Sequence, residues 1–200
     1  MNILKEIIKK AKSIDATIVL PEAHLDARVK TAADIILKKQ LSKIIVFGKA
    51  EDYPSTFASG NCQIIDIETY EKLDYLTQSL FELRKAKGMT EEDAKTYIQK
   101  PEYFAMMLLK SGLADGVVAG AKFSTADTLR PALQIIKTKP NKNVVTGNML
   151  MVKKGFRPLV FGDVSLVEKP DSETLSEIAI SNAEFMQKVV GIEPKVAMLS

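Results

Sequence analysis

"TIVLPEAHLDARVKTAADIILKKQLSKIIVFG", residues 17–48, holds two apolar runs on either side of one amphipathic stretch. "TIVLPEAH" reads as a buried strand ending at Pro21, because proline has no N–H for a ladder. "DARVKTAADIILKKQ" then sets Val29, Ala32, Ala33, Ile36 and Leu37 on one helical face. "KIIVFG" is the next strand. A helix between two buried strands makes them parallel neighbours.

The same alternation continues outward. "QIIDI" reads as a third strand, and "KLDYLTQSLFELRKAKG" as a helix that stops near Gly88. Thr90 and Asp93 have the spacing of a capping box and open a helix through Gln99. After Pro101 comes the helical "EYFAMMLLKSG", then "DGVVAG", a strand short enough to be buried on both faces. Before residue 17, Ile3, Leu4, Ile7, Ile8, Ala11 and Ile14 repeat at helical spacing among lysines, the pattern of a surface helix. The expectation is an α/β fold: a mostly parallel, doubly wound sheet with helices on both faces.

After Pro140 the pattern changes. "NVVTGNMLMV", the turn "KKG" and "FRPLVFGD" read as a hairpin, which an all-parallel sheet does not supply. A helix capped by Asp171 or Ser172 then runs to Val190 and stops at Gly191. "KVAMLS" reads as an apolar strand. The division expected is an α/β domain at 1–140 that carries a substrate-binding loop, and the beginning of a second α/β domain at 141–200. The chain reads as an N-terminal portion.

No apolar run approaches the roughly 20 residues that span a bilayer, and the N-terminus lacks the apolar centre and cleavage site of a targeting peptide, so cytoplasm is the default location and no membrane partner is expected. Cys62 is the single cysteine and His24 the single histidine, which excludes an intramolecular disulfide and a cysteine-built zinc site. With 28 basic residues against 25 acidic ones, mixed along the chain, nothing demands nucleic acid.

Chemistry concentrates in "GAKFSTADTLRPALQIIKT", residues 120–138. In open α/β sheets ligands bind beyond the carboxyl ends of strands, where loops enter helices. Gly120 permits a sharp turn. Ser124, Thr125 and Thr128 bring hydroxyls, the following helix offers N–H groups, and Arg130 adds a planar cation suited to phosphate or carboxylate. Pro131 predicts a break at Arg130 or a helix start close to Pro131. Two readings stay open here: an anion site, or a capped helix with a surface ion pair.

Several stretches resemble phosphate acetyltransferases (phosphotransacetylases). "KPEYFAMMLLKSGLADGVVAGAKFSTADTLRPALQIIKTKP" carries the likeness most specifically, and "IVLPEAHLDARV", "FELRKAKGMT" and "FGDVSLVEKPDSETLSEIAISNAEFMQKVVGIEPKVAMLS" extend it, with residues 48–75 weakest. The resemblance implies the two-domain architecture shared with isocitrate and isopropylmalate dehydrogenases, and a homodimer. It implies reversible acetyl transfer between coenzyme A and phosphate by direct thiolate attack on acetyl phosphate in a ternary complex. CoA is then a substrate, no cofactor or metal takes part, and Cys62 is no nucleophile.

On that resemblance Arg130 falls on the arginine of the S-T-A-D-T-x-R-P motif, which is expected to hold phosphate or CoA. Ser124 and Thr125 fall on the hydroxyl pair near the acyl phosphate, and Arg84 on an arginine associated with CoA. Lys85 and Lys87 are read as ordinary basic residues of a last helical turn. The catalytic residues are not in view, since the family's N-D-L-S-R-G segment, with its general base, lies beyond Ser200. Lys122 and Phe123 replace a histidine-containing pattern, and "GDVSL" lacks a cysteine common in relatives. A phosphate butyryltransferase and a non-catalytic regulatory domain of this fold are the alternatives. A dehydrogenase is disfavoured, because no G-x-G-x-x-G follows the first strand.

Glu22 and His24 are expected in loop-capping or solvent roles rather than as an acid/base pair, since an extended segment points them to opposite sides. Asp115 is expected in a turn. Met106, Met107, Met149 and Met151 are expected to fill core. Lys153 and Lys154 are expected in a hairpin turn.

Overall fold

Four short apolar segments carry the architecture of the computed structural model, which describes residues 3–140 and 142–199. In chain order the elements to residue 117 are α1 (Ile3–Ile14), β1 (Thr17–Leu20), α2 (Ala27–Lys38), β2 (Lys43–Phe47), β3 (Cys62–Ile65), α3 (Leu73–Arg84), α4 (Glu91–Ile98), α5 (Pro101–Lys110) and β4 (Gly116–Val117). The four strands pair in parallel in the order β3-β2-β1-β4, with Val19 opposite Ile45 and Val117. Residues 11–137 form one unit, and residues 3–10 with 138–199 another.

Strand alternation divides the core of the 11–137 unit. Val19, Ile45, Phe47 and Ile65 pack on one face with residues of α3, α4 and α5, while Leu20, Ile44 and Val46 pack on the other with Ala33 and Leu37 of α2 and with Tyr53 and Phe57. Helices therefore cover both faces, as the near-continuous apolar strands require. Phe104 is fully buried and meets the rings of Phe47 and Tyr70 edge-on, at 5.3 and 5.5 Å. Caps sit where the sequence sets them: Thr90 and Asp93 bond reciprocally, and α3 ends through a short tight turn at Gly88. Asp115 fastens the amino end of β1, accepting from the Thr17 N–H while its own N–H donates to the Thr17 carbonyl.

In the other unit β5 (Met149–Met151) and β6 (Leu159–Phe161) form the expected antiparallel pair, turning through Lys153, Lys154 and Gly155. Asp163 follows β6 and accepts from the Thr146 hydroxyl and from the N–H groups of Gly147, Ser165, Leu166 and Val167. A helix from Ser172 to Phe185, capped by Asp171, relaxes into a wide turn through Val190 and stops at Gly191. Two expectations fail here. Met149 and Met151 share a strand face as read, but that face is exposed together with Leu159 and Phe161. "KVAMLS" is not a strand over its described residues 195–199, because no described strand lends it ladder bonds.

Phe104→Ala is expected to cost ~3–5 kcal/mol in urea unfolding, and Tyr75→Ala, at a site 60% exposed, within ~0.5 kcal/mol. Equal costs would contradict this assignment of the core.

Candidate functional site

Beyond β4 the chain turns at Gly120, whose φ of +100° is a conformation side-chain-bearing residues rarely adopt. Four successive N–H groups, that of Gly120 the first, converge on one carboxylate. Gly120 and Ala121 donate to Glu22 Oε2 at 2.8 and 3.0 Å, and Lys122 and Phe123 donate to Glu22 Oε1 at 2.6 Å each. Glu22 is 1% exposed. Burial alone would raise its pKa, but the four N–H bonds outweigh that and hold it below the ordinary 4.5. These N–H groups, which precede the helix whose own N–H groups the sequence offers to an anion, are thus filled by an anion of the protein itself.

Glu22 reaches them because residues 21–25 are a turn and not the extended segment expected: the Ala23 N–H bonds the Leu20 carbonyl, and those of Leu25 and Asp26 bond the Glu22 carbonyl. Arg28, in the first turn of α2, adds a second tie. Its Nη2 donates to Asp26 Oδ2 and to the Ala121 carbonyl, both at 2.7 Å. Bonds from Arg28 draw the Asp26 pKa down to about 2. His24 is no partner for Glu22. Burial first, then Lys122 and Lys30, depress its pKa against the opposing charge of Asp52.

The loop feeds α6 (Thr125–Pro131). Ser124 caps it, with Oγ accepting from the Asp127 N–H at 3.1 Å and donating to Asp127 Oδ2 at 2.6 Å. Ser124 and Thr125 are exposed at its start and Arg130 at its end. The helix does not break at Arg130. It passes through Pro131, whose φ of −64° suits a helix, and relaxes into a wide turn at Ala132–Ile136. The Ser124 cap fixes the start six residues earlier than a start at Pro131 would, and buried Pro131 keeps the end against the core. The Thr128 hydroxyl is buried without a partner, 3.8 Å from where a Cβ on Gly120 would stand.

The charges of both arginines are felt at Tyr103 of α5. This phenol is 4% exposed, and its hydroxyl donates to Gln134 Oε1 at 2.9 Å. Burial raises its pKa, as do Tyr97 and Glu102, while the positive charges of Arg130 and Arg84 both act to lower it. Arg84, at the last turn of α3, has its Nε buried without a hydrogen-bond partner. Lys85 instead pairs with Glu82. Tyr103 and Gln134 have no reading in the sequence, and Glu22 takes the loop-capping role expected of it, with residues 120–123 as the loop. The available signal was chemical: four adjacent N–H groups after a buried strand need an acceptor, and Glu22 stands at the same sheet edge.

Among the described residues no group of three or more His, Cys, Asp or Glu is placed to hold a metal, and no helix is long and apolar enough to cross a membrane. Burial pushes the Cys62 thiol up to about 11, away from nucleophile chemistry.

A family model described as phosphate acetyl/butaryl transferase matches residues 2–200. The chain belongs to this family. The phosphate acetyltransferase of Acetivibrio thermocellus is 44% identical, over 100% of this chain and 62% of the relative, and that of Bacillus subtilis is 39% identical with the same coverage. The structure of the EutD phosphotransacetylase from Staphylococcus aureus superposes with a TM-score of 0.87 at 38% identity, covering 100% of this chain and 61% of that one. A phosphotransacetylase from Streptococcus pyogenes has the same TM-score at 36% identity, covering 99% and 61%. The chain therefore spans about three fifths of the length of these phosphotransacetylases, and their fold class is its own.

The depressed Glu22 pKa gives a pH test. A carboxylate whose pKa is lower folded than unfolded adds stability above its unfolded value, here about 4.5, and loses it as pH falls through the folded value. Urea unfolding from pH 7 to 3 is expected to show stability declining below about 4.5, with a shallower slope in Glu22→Gln. Identical slopes would contradict the shift.

Proposed function

We propose that this chain supplies the CoA and phosphate side of a phosphate acetyltransferase, which exchanges acetyl between coenzyme A and orthophosphate. One observation carries the reading: in a chain of the phosphate acetyl/butaryl transferase family, the S-T-A-D-T-x-R-P stretch folds as a capped helix that exposes Ser124 and Thr125 at its start and Arg130 in its last turn. Relatives named phosphate acetyltransferase, at 37–44% identity along the whole chain, support it.

In the thioester-forming direction a base takes the CoA thiol proton. The thiolate attacks the carbonyl carbon of acetyl phosphate, the C–S bond forms, and the C–O bond to phosphate breaks with its electron pair leaving on phosphate. The protein needs positive charge on that phosphate and donors for the carbonyl oxygen as it turns anionic. Arg130 is the phosphate or CoA ligand and Arg84 the CoA ligand, whose buried, unpartnered Nε suits an anionic acceptor. Ser124 and Thr125 stand at the acyl phosphate, Ser124 keeping its capping bond to Asp127. The general base comes from a part of the family's length that this chain does not span. CoA acts as substrate, with no metal or further cofactor, in a cytoplasmic homodimer. The α/β domain with the binding loop, expected over 1–140, is centred on the 11–137 unit, and residues 138–199, with 3–10, belong to the other.

The family description also covers butyryl transfer, and Phe123, half-buried beside the loop, is where a longer acyl chain would be sorted. The test is thioester formation by the full-length gene product, offered CoA with acetyl phosphate and butyryl phosphate in parallel. Faster acetyl transfer is expected. Arg130→Ala is expected to lower kcat/KM by about 10–100-fold, the worth of a charge-assisted hydrogen bond. Full retention would remove Arg130 from the site, and turnover of neither acyl phosphate by the wild type would replace the enzyme with a regulatory domain of this fold.

A further inference from the structure

We propose that Glu22 is a positioning residue for the phosphate-bearing substrate. Its carboxylate is the resident anion of the residue 120–123 cradle, so it fixes the loop that launches α6 and leaves substrate recognition to side chains.

The geometry supports both halves. A run of successive N–H groups ahead of a helix is ordinarily a place for a ligand phosphate. Here all four are taken, at 2.6–3.0 Å, by a residue 98 to 101 positions earlier and 1% exposed. A substrate phosphate cannot share those donors, because a second anion would meet the Glu22 charge in a water-poor site. Arg28 holds the same loop by its other polar group, the Ala121 carbonyl. The next residues are Ser124 and α6, which carries Arg130 in its last turn, so any swing of the loop moves both hydroxyls and the guanidinium together. A glutamine at position 22 would turn an NH2 toward two of the four donors, leaving them unpaired without changing side-chain size.

The inference rests on the acyltransfer reading, and the experiment separates the two. In the full-length gene product, E22Q is expected to raise KM for acetyl phosphate about tenfold or more while kcat stays within about threefold, since an unpaired buried group costs enough for that. Hydrogen exchange is expected to quicken at residues 120–123, and Glu22→Asp, with its charge but shorter reach, is expected to fall between. A purely structural role predicts the opposite split, with fewer active molecules, lower kcat and unchanged KM. That result, or an unchanged KM in E22Q, overturns the proposal. If E22Q does not fold, Glu22→Asp carries the same comparison, and failure of both to fold makes Glu22 a structural lock only and also overturns it. A wild type that forms no thioester removes the acyltransfer reading instead, and the exchange comparison still decides whether Glu22 holds the loop.

Discussion

The bond set between Glu22 and the N–H groups of residues 120–123 is the constraint on which the candidate site depends. It joins the loop after β1 to the loop after β4, neighbouring strands separated by about 100 residues of chain. A buried carboxylate is costly alone, and four buried N–H groups are costly alone. Each removes the other's penalty, so the arrangement is stable only when both loops are in place. With that contact made, the cap at Ser124, the axis of α6 and the position of Arg130 follow from ordinary helix geometry.

The arginine side of the site obeys a different balance. The positive charges of Arg84 and Arg130 act on a phenol that is itself buried and bonded to Gln134, and the negative charge of Glu102 opposes them there. The buried Nε of Arg84 has no hydrogen-bond partner, a cost that a bound acceptor would remove.

What was legible in the sequence was local. Apolar runs and a period of 3.6 place β1, α2 and β2, and capping chemistry places Thr90 with Asp93 and leaves Asp171 or Ser172 to cap the helix that Asp171 in fact caps. Each depends on residues a few positions apart. The contact of Glu22 with residues 120–123 has no such signature, and reading residues 21–25 as extended hid it. Pro131 misled for a related reason: the local rule against proline in a helix was weighed without the Ser124 cap and the burial of Pro131, which are set elsewhere. Met149 and Met151 were read correctly for face and wrongly for burial, because alternation tells which residues share a face but not whether anything covers it.

Asp163 shows that Glu22 is not an isolated solution. In the other unit it too follows a strand, accepts from four backbone N–H groups and a hydroxyl, and is held below the ordinary carboxylate range although burial opposes this. Both units thus tie irregular loops at strand ends with an internal anion. A helix dipole or a surface lysine would tie them less specifically, since neither fixes four donors at once. The same choice couples loop order to carboxylate ionisation in each unit, and the stability each carboxylate adds is lost as pH falls through its folded value.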